Sequence, residues 1–275
     1  MERTLRAFGL KEEALVQDDA NRARSSVRPG GWKWRLFVRS FLLQAVWNPR
    51  GMQDVGFFFA VAPLASTMDE EERRAFLKRH MSFFNTNPVL APYVIGAVAR
   101  AEMEGRGAEE AAEIKKALGG LLGMAGDALM WGGLRPAAGL IAAAVALYGL
   151  QTGAWGVWAA PIVMLVVYNV PHIFLKARGV VRGLDVGPEA ASELLGKGFR
   201  RAVLATRWAG AFAAGFVLAL AASGTERPGV PTAVVMGAFL VLGAVAARLR
   251  IPSTLVAAAG AIGGIILMVN GFYGG

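Results

Sequence analysis

Hydrophobic and polar positions divide the chain into two unlike halves. In the N-terminal half polar residues interrupt the apolar stretches, whereas the C-terminal half carries long stretches without charge. A helix needs about 20 consecutive apolar residues to cross a bilayer. The first uncharged stretch is divided by a Gln-Thr-Gly turn. The pattern therefore predicts about five transmembrane helices, near residues 134–150, 154–175, 208–225, 228–247 and 254–272.

Apolar stretches of the N-terminal half are too short or too interrupted to span a membrane. Residues 32–42 combine an apolar side with tryptophans and basic residues, which predicts an amphipathic helix lying in the membrane interface. Residues 57–64 are apolar but short, and residues 81–99 contain Pro88 and Pro92, which interrupt a helix. These stretches predict re-entrant or broken half-helices. The fold class is therefore an all-α membrane protein.

Two further helices are predicted between these stretches and the first span. One begins at Thr67, where Thr67-Met68-Asp69-Glu70 has the spacing of a capping box, and ends near His80. The other is a soluble-looking helix at residues 108–118. Glycines that permit close backbone approach follow it, at Gly119, Gly120, Gly123 and Gly126.

Composition suggests three regions along the chain. Residues 1–31 are charged and lack the apolar core of a secretory signal, so they are expected to form a mobile cytoplasmic N-terminal tail. Residues 32–133 form the amphipathic and re-entrant polar half, and residues 134–275 form the transmembrane helical half. The chain has no cysteine, which excludes disulfides and thiolate metal sites.

The net charge of +9 is concentrated in loops between the predicted spans. Seven lysines and arginines lie between residues 176 and 207, and Arg248 and Arg250 lie between the last two spans. Basic loops of membrane proteins face the cytoplasm. The charge therefore predicts a lipid bilayer rather than nucleic acid as the partner, with the N-terminus inside and the C-terminus outside.

Two sets of polar residues in the interrupted stretches are candidates for ligand binding. Gln44 and Asn48 fall on one helix face, with the flat apolar ring of Trp47 beside them. Asn85 and Asn87 lie where a second helix is broken. Amide side chains both donate and accept hydrogen bonds, as sugar hydroxyls do. Alternatively, the same amides satisfy backbone groups that the helix breaks leave free.

Four other polar residues are expected to have structural or partner-contacting roles. His80 has no neighbouring partner motif for a nucleophile. Asp127 and Arg135 lie near the cytoplasmic entry of the first span, where an ion pair with each other or with a partner subunit would offset the cost of burial. His172 could cap a helix or contact a partner. With two histidines in the chain we expect no metal site, and no catalytic or cofactor-binding motif is recognisable.

Four ordered motifs are similar to the landmark segments of one protein family. They read RSFLLQAVWNPRGMQDVGF, RHMSFFNTNPVLA, IKKALGGLLGMAGDALMWGGLRP and YNVPHIFLKARG. From about Gly31 to Gly179 the chain resembles the IID membrane component of the mannose/fructose/sorbose-type sugar phosphotransferase system (PTS). Two positions depart from the family pattern. Asn87 stands where the family more often has histidine, and Leu121-Leu122-Gly123-Met124 lacks the usual proline.

This resemblance implies a non-catalytic subunit in the cytoplasmic (inner) membrane of a bacterium. It would form a hetero-oligomeric sugar translocation unit with a IIC subunit, with a mannose-type hexose as substrate. Cytoplasmic IIA and IIB domains would carry phosphate to the sugar, so His80 is not expected to be phosphorylated and no cofactor is expected. The two departures keep an alternative open, namely a membrane sensor or scaffold that retains the IID fold without transport. A membrane-embedded enzyme would lack any catalytic constellation.

Overall fold

The computed structural model describes residues 31–152 and 156–223 together with Leu255, and the regular structure of this part of the chain is helical. A 3₁₀ helix, Ala62–Thr67, follows the second α-helix, and a π-helical turn, Met130–Leu134, joins the fifth to the sixth. In chain order the α-helices are α1 (Trp32–Ser40), α2 (Asp54–Val61), α3 (Glu70–His80), α4 (Ala91–Met103), α5 (Ala108–Leu129), α6 (Arg135–Thr152), α7 (Gly156–Val186), α8 (Glu189–Leu194) and α9 (Lys197–Ser223).

Within the described residues two helical stretches are long and apolar enough to cross a membrane, Ala108–Leu150 and Val157–Val186. They contain the first predicted span and residues 157–175 of the second, and residues 208–223 of the third lie in α9. The predicted spans at 228–247 and 254–272 lie outside the described residues, apart from Leu255. The number of full spans and the re-entrant character of the N-terminal half stay predictions.

The first predicted span is not a short helix of its own. Helix α5 runs through the glycines at 119–126 and continues by the π-helical turn into α6, so the helix predicted at residues 108–118 extends well beyond residue 118. A glycine in a helix interior costs about 1 kcal/mol relative to alanine. Close packing that only glycine permits offsets this cost here, as the contacts of Gly126 described below illustrate.

The described residues form two compact units that are discontinuous in sequence. Among the described residues, one comprises residues 31–126 together with Ile173–Leu195, and the other comprises residues 127–152, 156–172 and 196–223. The change in composition near residue 133 marks where uninterrupted apolar sequence begins, and it does not coincide with the border of these units.

Helix α4 lies at the centre of the first unit. Residues 91–99 are buried throughout, including the tyrosine ring at position 93. A β-carbon at Gly96 would lie 2.8 Å from the α-carbon of Gly183. The two glycines therefore let α4 and the C-terminal part of α7 touch through their backbones, the small-residue contact that is common between helices of membrane proteins.

The predicted amphipathic helix exists as α1, and its apolar side faces away from the core of the first unit. Trp34 is 64% exposed, and Phe41 and Leu42, which follow the helix, are about half exposed at 46% and 50%. Leu36 and Ser40 point inward and are fully buried. An outward apolar face carrying tryptophan needs lipid or another protein against it.

Helix α3 confirms the predicted charged helix and corrects its cap. The cap residue is Asp69, two positions after the predicted Thr67, and its carboxylate accepts a hydrogen bond of 2.8 Å from the Glu72 backbone N–H. Acidic residues occupy the first turn and basic residues the last, which suits the helix dipole. The helix ends at His80, as the sequence predicts.

In the second unit α6 and α9 pack through small side chains. A β-carbon at Gly210 would lie 3.5 Å from the α-carbon of Ala137, an ordinary contact between two close backbones. The π-helical turn is tighter, because a β-carbon at Gly133 would clash with the Thr206 hydroxyl at 2.2 Å. Such contacts need no long side chains and suit helices that pack within lipid.

Candidate functional site

A tight loop separates α1 and its following turn from α2. The backbone N–H and C=O of Asn48 both pair with Met52, at 3.1 and 2.9 Å. Met52 takes the left-handed conformation, with φ of 57°, which is uncommon for a residue other than glycine. The loop is therefore held in a defined and costly conformation, of the kind that recurs at functional sites.

This loop pairs with the segment that precedes α4, defined here as residues 82–88 and called the Pro88 segment. The Gln53 backbone N–H donates to the Phe84 carbonyl at 2.8 Å, and the Phe84 N–H donates to the Gly51 carbonyl at 3.2 Å. The buried side chain of Gln53 then bonds the backbone of Thr86, donating to its carbonyl at 2.9 Å and accepting from its N–H at 3.1 Å. The two interrupted stretches therefore meet.

Two of the predicted site residues use their amides to shape these loops. The Asn48 side chain accepts from the Gly51 N–H at 2.7 Å and donates to the Asp54 carboxylate at 2.7 Å. Asn87 is buried, and its side-chain oxygen accepts from the Val89 N–H at 3.0 Å. Both amides satisfy backbone groups next to a helix break, which is the alternative role weighed for them above.

The other three predicted site residues present their side chains outward. Gln44 and Asn85 are exposed, and Trp47 is 55% exposed. Trp47 adjoins Asn48 in one loop, and Asn85 lies between Phe84 and Thr86, the two residues that pair with the other loop. The two paired segments thus carry one accessible aromatic ring, Trp47, and one accessible amide, Asn85.

Helix α5 supports the Pro88 segment from behind. A β-carbon at Gly126 would lie 2.3 Å from the β-carbon of Asn87, and one at Gly119 would lie 3.3 Å from the Phe84 ring. A β-carbon at Gly123 would lie 3.6 Å from the α-carbon of Thr86. The glycines of α5 therefore pack against the Pro88 segment. The predicted close approach is confirmed for Gly119, Gly123 and Gly126, but not for Gly120, where a β-carbon would have nothing within 4 Å.

His80 belongs to a buried charge cluster beside the Pro88 segment. Its Nε2 lies 2.9 Å from a carboxylate oxygen of Glu102, and the Arg79 guanidinium binds both oxygens of that carboxylate at 2.8 and 2.6 Å. The His80 ring packs edge-to-face on Phe76, with centroids 4.5 Å apart. The sequence motifs alone did not indicate Glu102 as its partner.

Protonation in this cluster follows from burial and pairing. Burial opposes the charge of Glu102, but the hydrogen bonds from Arg79 and His80 prevail and lower its pKa to about 2. Burial lowers the pKa of His80 in spite of its bond to Glu102. The imidazole is therefore neutral at neutral pH, and it must donate from Nε2 because an ionised carboxylate only accepts. His80 is therefore a buried, neutral ring held by Glu102 and Phe76.

The remaining predicted residues lie on helices of the second unit. The guanidinium of Arg135 sits 4.5 Å from the centre of the Trp131 ring, one helical turn earlier. Asp127 is exposed at the end of α5. His172 is half-buried in α7, and its ring meets the edge of Tyr168 at 5.7 Å. Their roles as structural or partner-contacting residues stay predictions.

No group of histidines and carboxylates with metal-binding geometry occurs among residues 31–152 and 156–223. Buried polar residues in the same part of the chain instead concentrate at the paired loops. Their side chains or carbonyls contribute to this network, and they are Ser40, Gln53, His80, Thr86, Asn87, Lys115 and Lys176. Gln53 and the two lysines could not be predicted as site residues, because an amide or amine side chain gives no sign of its burial in the sequence.

Comparison with solved structures supports a membrane-protein fold. A chain described as a membrane protein superposes with a TM-score of 0.59 at 26% identity, covering 70% of this chain and 71% of that one. A chain from the mannose transporter ManYZ in complex with microcin E492 superposes with a TM-score of 0.50 at 20% identity, covering 90% of this chain and 97% of that one. At that identity the likeness concerns the fold alone.

Comparison of sequences establishes the family. The family of PTS system mannose/fructose/sorbose family IID components matches residues 32–226. The mannose-specific EIID component of Escherichia coli K12 is 31% identical over 172 residues, which cover 60% of this chain and 58% of that protein. The sorbose-specific EIID component of Lacticaseibacillus casei is 30% identical over 184 residues, covering 64% and 62%. The chain thus matches less than two thirds of these relatives' length.

The chain belongs to the mannose/fructose/sorbose family of PTS IID components. The resemblance drawn from the four sequence motifs is confirmed, and so is its assignment to a sugar-transport family. The polar loops of the first unit lie inside the matched range, as do α1 to α9.

Proposed function

We propose that this chain is the IID subunit of a bacterial sugar permease and forms the translocation unit together with a IIC subunit. Family membership supports the role, and the outward apolar surfaces support an assembly within the membrane. Apolar side chains of α7 are largely exposed, and an apolar patch of this size needs lipid or a partner. They include Trp158, Ile162, Leu165, Val166, Val170 and Phe174.

The sugar pathway passes the paired loops of the first unit. The observation that carries this proposal is the double hydrogen bond between Gln53 and Thr86, which joins the two polar interruptions. Gln44 and Asn85 supply exposed amides for sugar hydroxyls, and Trp47 supplies an apolar ring for the C–H face of the sugar. Asn48 and Asn87 complete the site by fixing the loops that carry these groups.

Phosphoryl transfer takes place on other proteins of the system. In this proposal cytoplasmic IIA and IIB domains carry the phosphate, and the IID chain contributes sugar contacts and a docking surface. The buried, paired setting of His80 supports this division, because a phosphate carrier needs an accessible ring nitrogen. Which hexose is transported depends on the exposed amides and on the partner subunit.

Five spans place the N-terminus in the cytoplasm and the C-terminus outside. The orientation rests on the basic residues between α7 and the apolar part of α9, where Lys197, Arg200 and Arg201 are exposed. Helix α1, with its outward tryptophan and basic residues, lies along the interface in this arrangement.

The test is reconstitution of transport in a bacterium that lacks its own mannose-type system. The full chain is expressed with its genomic IIC, IIA and IIB partners, and uptake and phosphorylation of labelled mannose, fructose and sorbose are measured. We expect phosphorylated sugar to accumulate only when IIC and this chain are both present, and the two to co-purify. Co-purification without uptake of any of the three sugars would favour the sensor or scaffold. Failure to bind IIC would contradict the assembly itself.

A further inference from the structure

We propose that Lys115 and Lys176 are positioning residues that hold the two ends of the Pro88 segment, and so set how its Asn85 side chain is presented. The link between this positioning and sugar binding rests on the proposed function, whereas the lysine contacts are observed in the structure. Both side chains are 2% exposed, which is rare for lysine.

Lys115 of α5 binds the N-terminal end of the segment. Its ammonium donates to the Ser82 carbonyl at 2.8 Å and to the Ser82 hydroxyl at 3.1 Å. A third bond of 2.9 Å reaches the carbonyl of His80, the last residue of α3. The same nitrogen lies over the Phe57 ring, 4.5 Å from its centre.

Lys176 of α7 binds the C-terminal end in a parallel manner. Its ammonium donates to the Pro88 carbonyl at 2.7 Å. A second bond of 3.1 Å reaches the carbonyl of Ser40, the last residue of α1, and the Phe41 ring lies 4.7 Å away. Each lysine therefore bridges the end of a helix to one end of the segment, over an aromatic face.

The shared geometry has a physical reason. Carbonyls in the last turn of a helix have no partner within the helix, and they carry the negative end of its dipole. A buried ammonium needs several acceptors, because removing a charge from water is costly unless it is paired or hydrogen-bonded. Helix ends and the irregular Pro88 segment supply those acceptors. Aromatic faces add a favourable interaction with the cation.

Between the two lysines the segment is fixed at Thr86 by Gln53 and at Asn87 by the approach of Gly126. Asn85 is the exposed asparagine of the segment, so its presentation depends on where the two ends are held. Neither lysine needs to touch the sugar for this role. A uniform loss of stability would not alter the accessibility of position 85 in protein that remains folded, whereas a released segment would.

The experiment uses the absence of native cysteine. Asn85→Cys is introduced into the full chain, co-expressed with IIC in permeabilised cells, and its rate of modification by a maleimide is measured at matched protein level. Lys115→Met and Lys176→Met are each added, with Lys116→Met as the matched control, because Lys116 is the exposed neighbour in α5. In both buried-lysine variants we expect the rate of maleimide modification to differ by about tenfold from the rate in Asn85→Cys alone, as for loss of one or two buried hydrogen bonds. In the Lys116→Met control we expect the rate to be unchanged.

Glutamine variants carry the test if a methionine variant does not accumulate. Gln keeps an N–H donor but is shorter than Lys, so it can reach one carbonyl and not both, and the cysteine introduced by Asn85→Cys should still be modified at an altered rate. A wild-type rate in folded Lys115 and Lys176 variants overturns the inference. In uptake assays on the native Asn85 background, we expect a raised KM with little change in maximal rate. An altered labelling rate without any sugar transport would contradict the proposed function and leave the positioning role supported.

Discussion

The side chain of Gln53 pairs with the backbone of Thr86 as a neighbouring strand would, through bonds of 2.9 and 3.1 Å. Both residues are buried. Thr86 belongs to the Pro88 segment, which has no helix or sheet of its own to satisfy its backbone. One amide therefore replaces the missing secondary structure and joins two segments 33 residues apart in the sequence.

Replacing Gln53 should lower stability more than it lowers sugar affinity. Gln53→Leu leaves the N–H and C=O of Thr86 buried without partners, and each such group costs about 1–3 kcal/mol. We expect a lower thermal midpoint for the purified complex with IIC, measured by loss of the co-purifying peak after heating. Gln44→Leu is the matched control, because Gln44 is exposed, and it should keep the midpoint while raising KM for uptake. Equal midpoints in both variants would contradict a stabilising role for the two hydrogen bonds between Gln53 and Thr86.

Substitutions of the two asparagines beside Thr86 should have different effects, one on sugar binding and the other on stability. Asn85 is exposed, and Asn87 is buried with its side-chain oxygen on the Val89 N–H. Asn85→Ala should raise KM by about ten- to hundredfold, the effect of losing one hydrogen bond to a sugar hydroxyl, at an unchanged thermal midpoint. Asn87→Ala should lower the midpoint and reduce uptake as a consequence. The reverse assignment of effects would place Asn87, not Asn85, against the sugar.

Sequence patterns predicted the helices better than they predicted the network between them. The charged composition of residues 70–80 and the prolines at 88 and 92 are local signals, so α3 and the break before α4 could be predicted. The continuity of α5 could not, because the packing that tolerates Gly126 involves Asn87, which is distant in sequence.

The candidate site shows the same limit. Amides within apolar sequence mark a polar site, and Asn48 and Asn87 do lie at the paired loops. Gln44 and Gln53 are the same residue type in the same polar part of the chain, yet Gln44 is exposed and Gln53 is buried. Only the fold distinguishes the two glutamines, because their burial depends on where α1 ends and on the pairing of Phe84 with the loop at Gly51 and Gln53.

Breaking the buried carboxylate cluster should be strongly destabilising. Glu102→Gln removes the charge that Arg79 binds through two hydrogen bonds, and loss of one partner of a buried pair typically costs about 3–5 kcal/mol. The thermal midpoint of the complex is the measurement. Glu70→Gln is the control, since its pairs with Arg73 and Arg74 are exposed and such pairs contribute about 0–1 kcal/mol. Similar midpoints for the two variants would contradict a buried cluster.

Acidification should destabilise the protein through His80 first and Glu102 afterwards. The pKa of His80 in the folded chain is lowered from 6.5, so just below pH 6.5 the unfolded chain binds a proton at His80 that the folded chain does not bind. Stability therefore falls as the pH drops below about 6.5. The folded pKa of Glu102 is about 2 against 4.5 unfolded, so its contribution is present above 4.5 and is lost toward pH 2. His80→Gln should flatten the first decline in a plot of thermal midpoint against pH. An unchanged slope between pH 7 and 5 would refute the neutral, buried state of this ring.

The same substitution should spare phosphate transfer. His80→Gln keeps a side chain that can donate to Glu102, so the complex should assemble and retain most of its phosphorylation-coupled uptake. The measurement is sugar phosphate formed by purified complex with IIA, IIB and phosphoenolpyruvate-charged carrier proteins. Complete loss of transfer at a normal protein level would make His80 a participant in the chemistry.

Membrane orientation can be tested with single cysteines, since the chain has none of its own. The basic residues around α8 and at the start of α9 place that region in the cytoplasm. Ser192→Cys should therefore resist a membrane-impermeant maleimide in intact cells, while Gly224→Cys and Gly274→Cys should react. Ser192 is exposed in α8, so its cysteine must react once the cells are permeabilised, and protection in intact cells cannot then come from burial. Labelling of Ser192→Cys alone in intact cells would show that the predicted topology is inverted.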